Sequence, residues 1–149
     1  MGLNITTEDF KKKVYNIDNV ETIDDLKLLG NNPVVIDFHT KWCGPCKMLS
    51  PVIDELSEEY NGKVDFYKVD IEDEMELAQS FGVMSVPTLL FIPKNGKPQL
   101  SPGAPPKNRL KEIIDESLLG KEVKKDSMSE FNSIMGKIKG LLNDNKWYK

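Results

Sequence analysis

The sequence has 149 residues, of which 39% are hydrophobic and 30% charged, an ordinary composition for one globular domain with a real core. Its formal net charge of −4 argues against nucleic acid as the main partner, and no apolar run is long enough to span a membrane. The N-terminus, MGLNITTEDF, lacks the basic start and apolar core of a signal peptide, although a cleaved leader would leave the same sequence. We therefore expect a cytoplasmic protein, with periplasmic location or export after loss of a leader as the alternative.

The first part of the chain contains two helix signals followed by a strand. Thr6 has the features of a helix start, with Phe10 on the buried face, and a short strand at residues 3–5 can precede it. A second helix is predicted over about residues 21–29. The segment PVVIDFHT, residues 33–40, is an apolar run with β-branched residues, which is typical of a strand buried on both faces.

The following segments continue the alternation and end in a hairpin and a helix. CKMLSPVIDELSEEY has helical periodicity, KVDFYKVDI predicts a strand, and EMELAQSFG predicts a short helix. TLLFIPKNGKPQLSP predicts a hairpin with Asn95-Gly96 as its turn; Pro98 and Pro102 place its last strand at a sheet edge, because proline cannot donate to a ladder. PKNRLKEIIDESLLG then forms a helix. This order predicts an α/β fold, a central mixed sheet with helices on both faces.

Both cysteines lie in the motif KWCGPCKML, separated only by Gly44 and Pro45. A structural zinc site needs about four ligands, and one cysteine pair with the single histidine, His39, does not supply them, so no metal is expected. A disulfide across so short a loop would constrain little of the unfolded chain. A redox pair fits better, because a Cys43 thiolate would lie near the unpaired amides and positive dipole end of the next helix, with Cys46 more buried.

Two longer segments resemble the thioredoxin family. VVIDFHTKWCGPCKMLSPVIDELSEEY resembles its active-site region, and KVDFYKVDIEDEMELAQSFGVMSVPTLLFIPKNG resembles the segment that follows, including its Val/Ile-Pro-Thr motif. The resemblance covers roughly residues 3–119, so we divide the chain into a thioredoxin-like domain at 1–119 and an extension at 120–149. It implies a thioredoxin fold and a thiol–disulfide oxidoreductase that reduces protein disulfides and is re-reduced by a thioredoxin-reductase-like electron donor.

The resemblance also implies roles for individual residues. Cys43 would attack a substrate disulfide, and Cys46 would resolve the mixed disulfide. Asp37 matches the buried carboxylate that assists proton removal from Cys46, and Lys68 matches the lysine beside that carboxylate. Pro87 matches the family's cis-proline, which faces the cysteines. The other matching positions form the surface that receives the substrate chain: Trp42, Gly44, Pro45, Met84, Ser85, Val86, Gly103 and Ala104.

His39 departs from the family pattern, which has an aromatic residue at this position. We expect His39 to be half-buried and hydrogen-bonded. We also expect a monomer without a cofactor other than the redox-active Cys43–Cys46 pair. One function of a different class stays open: a thioredoxin-fold binding module whose extension docks a partner and whose cysteines are incidental.

The extension is more basic than the rest of the chain. Residues 121–149 carry seven lysines and four acidic residues, a balance of +3, so the preceding residues sum to −7. Ser127-Met128-Ser129-Glu130 has the spacing of a capping box, and apolar residues follow it at helical intervals. This pattern predicts an amphipathic helix, weakened by two glycines, that is ordered by packing on the body of the domain.

Deleting residues 121–149 should lower the melting temperature and leave disulfide reductase activity largely intact, since every implied catalytic residue precedes Ala104. Burial of four apolar side chains would supply about 1.5–3 kcal/mol each. The measurements are thermal melting of the full-length and truncated proteins and amide hydrogen exchange across the extension. Equal melting temperatures with unprotected amides would contradict docking. The four side chains are Phe131, Ile134, Ile138 and Leu141.

Overall fold

The computed structural model of the protein describes residues 2–18, 20–22 and 25–120. The last α-helix, Lys107–Ile113, is directly continued by a π-helical turn, Ile114–Leu118. The predicted extension helix lies outside the described residues. The elements in chain order are β1 (Leu3–Asn4), α1 (Thr7–Lys13), β2 (Val34–His39), α2 (Gly44–Glu59), β3 (Asp65–Asp70), α3 (Met75–Ser80), β4 (Thr88–Ile92), β5 (Gln99–Pro102) and α4 (Lys107–Ile113).

The strands form one mixed sheet in the order β1-β3-β2-β4-β5. Strand β3 pairs in parallel with β1 and β2, whereas β4 is antiparallel to both β2 and β5. Strand β5, which ends at Pro102, therefore lies at a sheet edge, as the prolines predicted. The sheet confirms the predicted thioredoxin fold, including the short first strand.

Helices cover both faces of this sheet and create two core clusters. Side chains of α2 and α4 pack on one face and those of α1 and α3 on the other. Neighbouring residues of β2 belong to different core clusters, because successive side chains of a strand point to opposite faces of the sheet. Val35 joins the cluster under α2, and Ile36 joins the cluster under α1; both are essentially fully buried.

The start of α1 agrees with the sequence prediction. The Thr6 hydroxyl accepts a hydrogen bond from the Asp9 amide at 3.1 Å, and the Asp9 carboxylate accepts one from the Thr6 amide at 3.1 Å. This reciprocal capping box satisfies two amides that the helix itself leaves unpaired. Phe10 is fully buried beneath α1.

The predicted helix over residues 21–29 is wrong. The described residues of this segment, 21, 22 and 25–29, contain no α-helix. Leu26 and Leu28 pack against the cluster under α1, whereas Lys27 and Leu29 between and after them are exposed. This alternation suits an extended chain, and the Leu29 amide donates to the Val14 carbonyl oxygen at 2.9 Å.

The predicted hairpin is confirmed, and Asn95-Gly96 lie in the middle of its connection, which is longer than a two-residue turn. The last cross-strand pair is Phe91 with Gln99, and six residues, 93–98, connect β4 to β5. Pro93 and Pro98 flank this connection. Neither proline can donate a backbone hydrogen bond, so the cross-strand ladder ends before it reaches a short turn.

Leu90 and Leu100 offer a matched test of this core, because they are cross-strand neighbours on β4 and β5. Leu90 is 1% exposed, whereas Leu100 is 37% exposed on the edge strand. Leu90→Ala should lower the free energy of unfolding by about 2–5 kcal/mol, since it removes buried contacts and leaves a cavity. Leu100→Ala should cost less than about 1 kcal/mol. Urea denaturation of both variants measures the difference, and equal costs would contradict this description of the core.

Candidate active site

Several loops meet at one end of the sheet, which we call the reactive edge. Strand β4 is antiparallel to both neighbours, so Thr88, its first residue, pairs with Phe38 near the end of β2 and with Pro102 at the end of β5. The segments that follow β2 and β5 and the segment that precedes β4 therefore leave the sheet at the same end. The topology thus brings together three regions that the sequence analysis had singled out: 42–46, 84–87 and 103–104.

Cys43 and Cys46 form a disulfide at the start of α2, with their Cα atoms 5.2 Å apart. Cys43 is the N-cap residue, and its Sγ accepts a hydrogen bond from the Cys46 amide at 3.1 Å. Pro45 occupies the first turn, where its missing amide hydrogen is not needed. Cys43 is partly exposed, whereas Cys46 is only 3% exposed. The order of exposure agrees with the sequence prediction.

This geometry gives the two sulfurs different chemistry in the reduced protein. A thiolate at the N-cap is stabilised by the amide that points at it and by the positive end of the helix dipole. Cys43 is therefore suited to be the accessible nucleophile. Cys46 is buried behind it and is reached only by a group already bound to Cys43, which suits a resolving thiol.

Asp37 is a buried carboxyl in the middle of β2. It is 1% exposed, and neither of its oxygens has a hydrogen-bond partner among the described residues. It pairs across the sheet with Leu89, which belongs to the cluster under α2, so the carboxyl group faces α2. Burial raises the pKa of Asp37 to about 6; the positive charge of Lys68 opposes this shift, and the negative charge of Asp54 adds to it.

Lys68 pairs with Asp37 across β2 and β3, but its ammonium group binds elsewhere. The Nζ atom lies 2.9 Å from Oδ1 of Asp54 and donates to Oγ of Ser50 at 2.6 Å. Lys68 therefore lies beside Asp37 along the backbone, as expected, and its charge acts on the Asp37 carboxyl. The direct partners of its ammonium group, however, are on α2.

Ser50 and Asp54 were missed by the sequence analysis. A signal was present: with Cys46, they recur every four residues along α2 and so share one side of the helix. A polar side on an otherwise apolar buried face indicates a polar partner inside the domain. That partner, Lys68, lies on a strand that is separated in sequence from α2, so spacing alone could not identify it.

The Val86–Pro87 peptide bond is cis, as the resemblance implied. Two hydrogen bonds fix this segment to its neighbours: the Thr88 hydroxyl donates to the Ser85 carbonyl oxygen at 2.8 Å, and the Gly103 amide donates to the Pro87 carbonyl oxygen at 2.8 Å. Gly103 has a φ of +99°, which residues with side chains rarely adopt.

Two large apolar side chains are exposed in the segments that meet at the reactive edge. Trp42 is 82% exposed and Met84 is 97% exposed. They belong to the two segments that adjoin Cys43 and Pro87 at the reactive edge. Exposed apolar surface of this kind marks a binding face more often than a random surface does. Of the other predicted contact positions, Val86 is partly exposed and Pro87 is buried. The remaining ones are exposed: Gly44, Pro45, Ser85, Gly103 and Ala104.

His39 ends β2 and is half-buried, as expected. Its Nε2 atom donates a hydrogen bond to Oδ1 of Asn4 at 3.0 Å, which fixes the end of β2 to β1. Burial lowers the pKa of His39, although Asp70 opposes the shift. The ring is therefore mainly neutral near pH 7, and its part in the site is to fix the end of the strand that leads to Cys43.

Within the described ranges, no three or more Cys, His, Asp or Glu side chains are placed to hold a metal ion. No helix in that same part of the chain has the length and apolar character needed to cross a bilayer.

Comparison with known proteins agrees with the fold and the cysteine geometry. The Thioredoxin family model matches residues 3–116. The chain is 42% identical over 116 residues to a thioredoxin of Borreliella burgdorferi, covering 78% of this chain and 97% of the relative. It is 39% identical over 117 residues to a thioredoxin of Haemophilus influenzae, covering 78% and 96%. An M-type chloroplastic thioredoxin of Brassica napus is 40% identical over 100 residues, which are 67% of this chain and 56% of that relative.

A solved structure of chloroplastic thioredoxin z superposes with a TM-score of 0.63 at 23% identity, covering 77% of this chain and 92% of that one. At this identity the superposition supports the fold alone. The two bacterial relatives are matched over nearly their whole length, and both cysteines of this chain form a pair at the spacing expected for a redox site. The chain belongs to the thioredoxin family of thiol–disulfide oxidoreductases.

Proposed function

We propose that the protein reduces disulfide bonds of other proteins, with Cys43 as the nucleophile and Cys46 as the resolving thiol. The observation that supports these roles most directly is the contrast between a partly exposed Cys43 at the N-cap of α2 and a buried Cys46 bonded to it. In the first step, the Cys43 thiolate attacks one sulfur of the substrate disulfide. The substrate S–S bond breaks, its other sulfur leaves as a thiolate that takes a proton from solvent, and a mixed disulfide forms.

In the second step, Cys46 gives its proton to Asp37 and attacks the Sγ atom of Cys43. The bond between Cys43 and the substrate breaks, the second substrate sulfur leaves as a thiol after taking up a proton, and the Cys43–Cys46 disulfide forms. Two electrons and two protons have then passed to the substrate. The structure has this oxidised pair and corresponds to the product state of the protein.

Asp37 is suited to accept the proton because of its environment. A carboxyl group with a pKa of about 6 is largely ionised at pH 7, yet it is a stronger base than a carboxylate with the ordinary value of 3.8. Its position facing α2 places it on the side of the sheet that carries Cys46. Lys68 is included in the site for its electrostatic effect on Asp37.

Trp42, Met84 and the cis Val86–Pro87 segment form the surface on which an extended substrate chain would lie. Regeneration of the dithiol needs an external electron donor, and we propose a thioredoxin-reductase-like protein and no further cofactor. A reducing compartment favours this cycle, so we propose that the protein works as a monomer in the cytoplasm.

Cys43→Ser should abolish reduction of insulin disulfides with dithiothreitol as the electron source, because no nucleophile is left at the N-cap. Cys46→Ser should instead trap a mixed disulfide between Cys43 and the substrate, which non-reducing electrophoresis and mass spectrometry detect. The double variant is the control and should form no adduct. Undiminished turnover in either single variant would contradict the assigned roles, and binding of partners that is indifferent to both substitutions would favour a binding module.

Asp37→Asn should slow resolution of the mixed disulfide near pH 7 and raise stability at the same pH. The pKa of Asp37 is about 6 in the folded protein and 3.8 ordinarily, so the folded state binds the proton more tightly. Stability from this group is therefore present below about pH 4 and is lost as pH rises towards and through 6. A pKa difference of about two corresponds to about 3 kcal/mol.

The asparagine variant cannot ionise, so its stability relative to the parent should increase between about pH 4 and pH 7. Urea denaturation at these two pH values measures this, and stopped-flow measurement of mixed-disulfide decay gives the rate. A stability difference that does not change with pH would show that folding does not raise the pKa of Asp37. Resolution at the parent rate at pH 7 would exclude Asp37 as the proton acceptor.

A further inference from the structure

The ammonium group of Lys68 has a choice of carboxylates, and the structure shows which one it binds. Asp37 is its cross-strand neighbour, and the Asp37 oxygens have no hydrogen-bond partner among the described residues. The ammonium group nevertheless binds Asp54 at 2.9 Å and Ser50 at 2.6 Å, both on α2. Asp54 is held in turn by the Gly2 amide, which donates to the same Oδ1 atom at 3.2 Å.

We propose that Asp54 is a positioning residue of the proton-transfer site: together with Ser50, it holds the Lys68 ammonium away from Asp37 and so sets the strength of Asp37 as a proton acceptor. The inference deepens the function proposed above and rests on it, because it assigns the control of the same proton acceptor.

The Lys68 ammonium group could bind either Asp37 or Asp54, and the two arrangements differ in their effect on Asp37. An ammonium group bound directly to Asp37 would stabilise the ionised carboxylate strongly, because opposite charges at hydrogen-bond distance in a buried site lower a carboxyl pKa by about 1–3. Asp37 would then be ionised at lower pH and would be a weaker base. With Lys68 bound to Asp54, its charge acts on Asp37 only at longer range, and burial remains the larger effect.

The charged groups around Asp37 support this assignment. Lys68 on β3 and Asp54 on α2 are the charged side chains that act on it among the described residues, and their effects have opposite sign. The two cysteines are in a disulfide and do not titrate in this state. Asp54 therefore acts twice in the same direction: its own negative charge disfavours ionisation of Asp37, and its ion pair keeps the positive charge of Lys68 at a distance.

The test is the titration of Asp37 in the oxidised protein, followed by the carbon-13 chemical shift of its carboxyl group. Four proteins form a cycle: the parent, Asp54→Ala, Lys68→Met and the double variant. Glu55→Ala is the matched control, because Glu55 lies one residue further on the same helix, carries the same charge and pairs with Lys107 at 2.9 Å on the surface. This titration does not depend on turnover, so it separates failure of this inference from failure of the proposed function.

Asp54→Ala should lower the Asp37 pKa by at least about 1, because Lys68 is released to bind Asp37. Lys68→Met should raise it, and in the Lys68→Met background the effect of Asp54→Ala should shrink to that of the lost charge alone. In the reduced protein, the acid limb of the rate–pH profile for mixed-disulfide resolution should move to lower pH in Asp54→Ala. Glu55→Ala should change neither property.

Two results would overturn the proposal. An Asp37 pKa in Asp54→Ala that is unchanged, raised or no lower than in Glu55→Ala would show that Lys68 does not turn to Asp37. An equal effect of Asp54→Ala with and without Lys68 would show that Asp54 acts only through its own charge. A shifted titration without any disulfide reduction in the parent would instead support the inference about Asp54 and count against the proposed function.

Discussion

Helices cover both faces of the sheet, and this constraint decides where chemistry is possible. A group in the middle of a strand loses its water, whereas a group at a strand end can meet solvent and substrate. Cys43 is of the second kind, since it follows β2 and lies partly exposed at the reactive edge. Asp37 is of the first kind, with both oxygens buried. Cys46 connects the two environments, because the first turn of α2 carries it from the edge into the interior.

The same short connection that ends the strand also supplies the electrostatics of the nucleophile. Only residues 40–43 separate β2 from α2, so the last residue of the loop is necessarily the N-cap of the helix. A side chain at an N-cap points its acceptor atom at unpaired amides, and here that atom is the Cys43 sulfur. No charged side chain has to be placed beside the thiolate, because the backbone of α2 performs this function.

Sequence reasoning predicted the elements whose evidence is local, and its errors arise where the evidence is distant. The buried strand β2, the helix start at Thr6 and the redox pair all follow from contiguous residues. The helix predicted over residues 21–29 is absent from the described residues of that segment, because the packing of Leu26 and Leu28 against the cluster under α1 and α3 favours an extended chain, and no local pattern reports that packing. The ion pair between Lys68 and Asp54 joins β3 to α2, and its choice of partner depends on side-chain geometry that no spacing rule describes.

Exposure to solvent increases stepwise along the three charged groups of the site. Asp37 is 1% exposed, and the side chains of Lys68 and Asp54 are 8% and 34% exposed. When Asp37 is protonated, the three side chains together carry no net charge, because the charges of Lys68 and Asp54 cancel. Ionisation of Asp37 then adds an unbalanced negative charge at the least solvated position, so burial and charge balance both favour the neutral acid. A buried carboxyl group with a raised pKa destabilises the fold near neutral pH, where it ionises. The same raised pKa makes it a better proton acceptor for a thiol. The loss of stability and the reactivity therefore both result from the burial of Asp37.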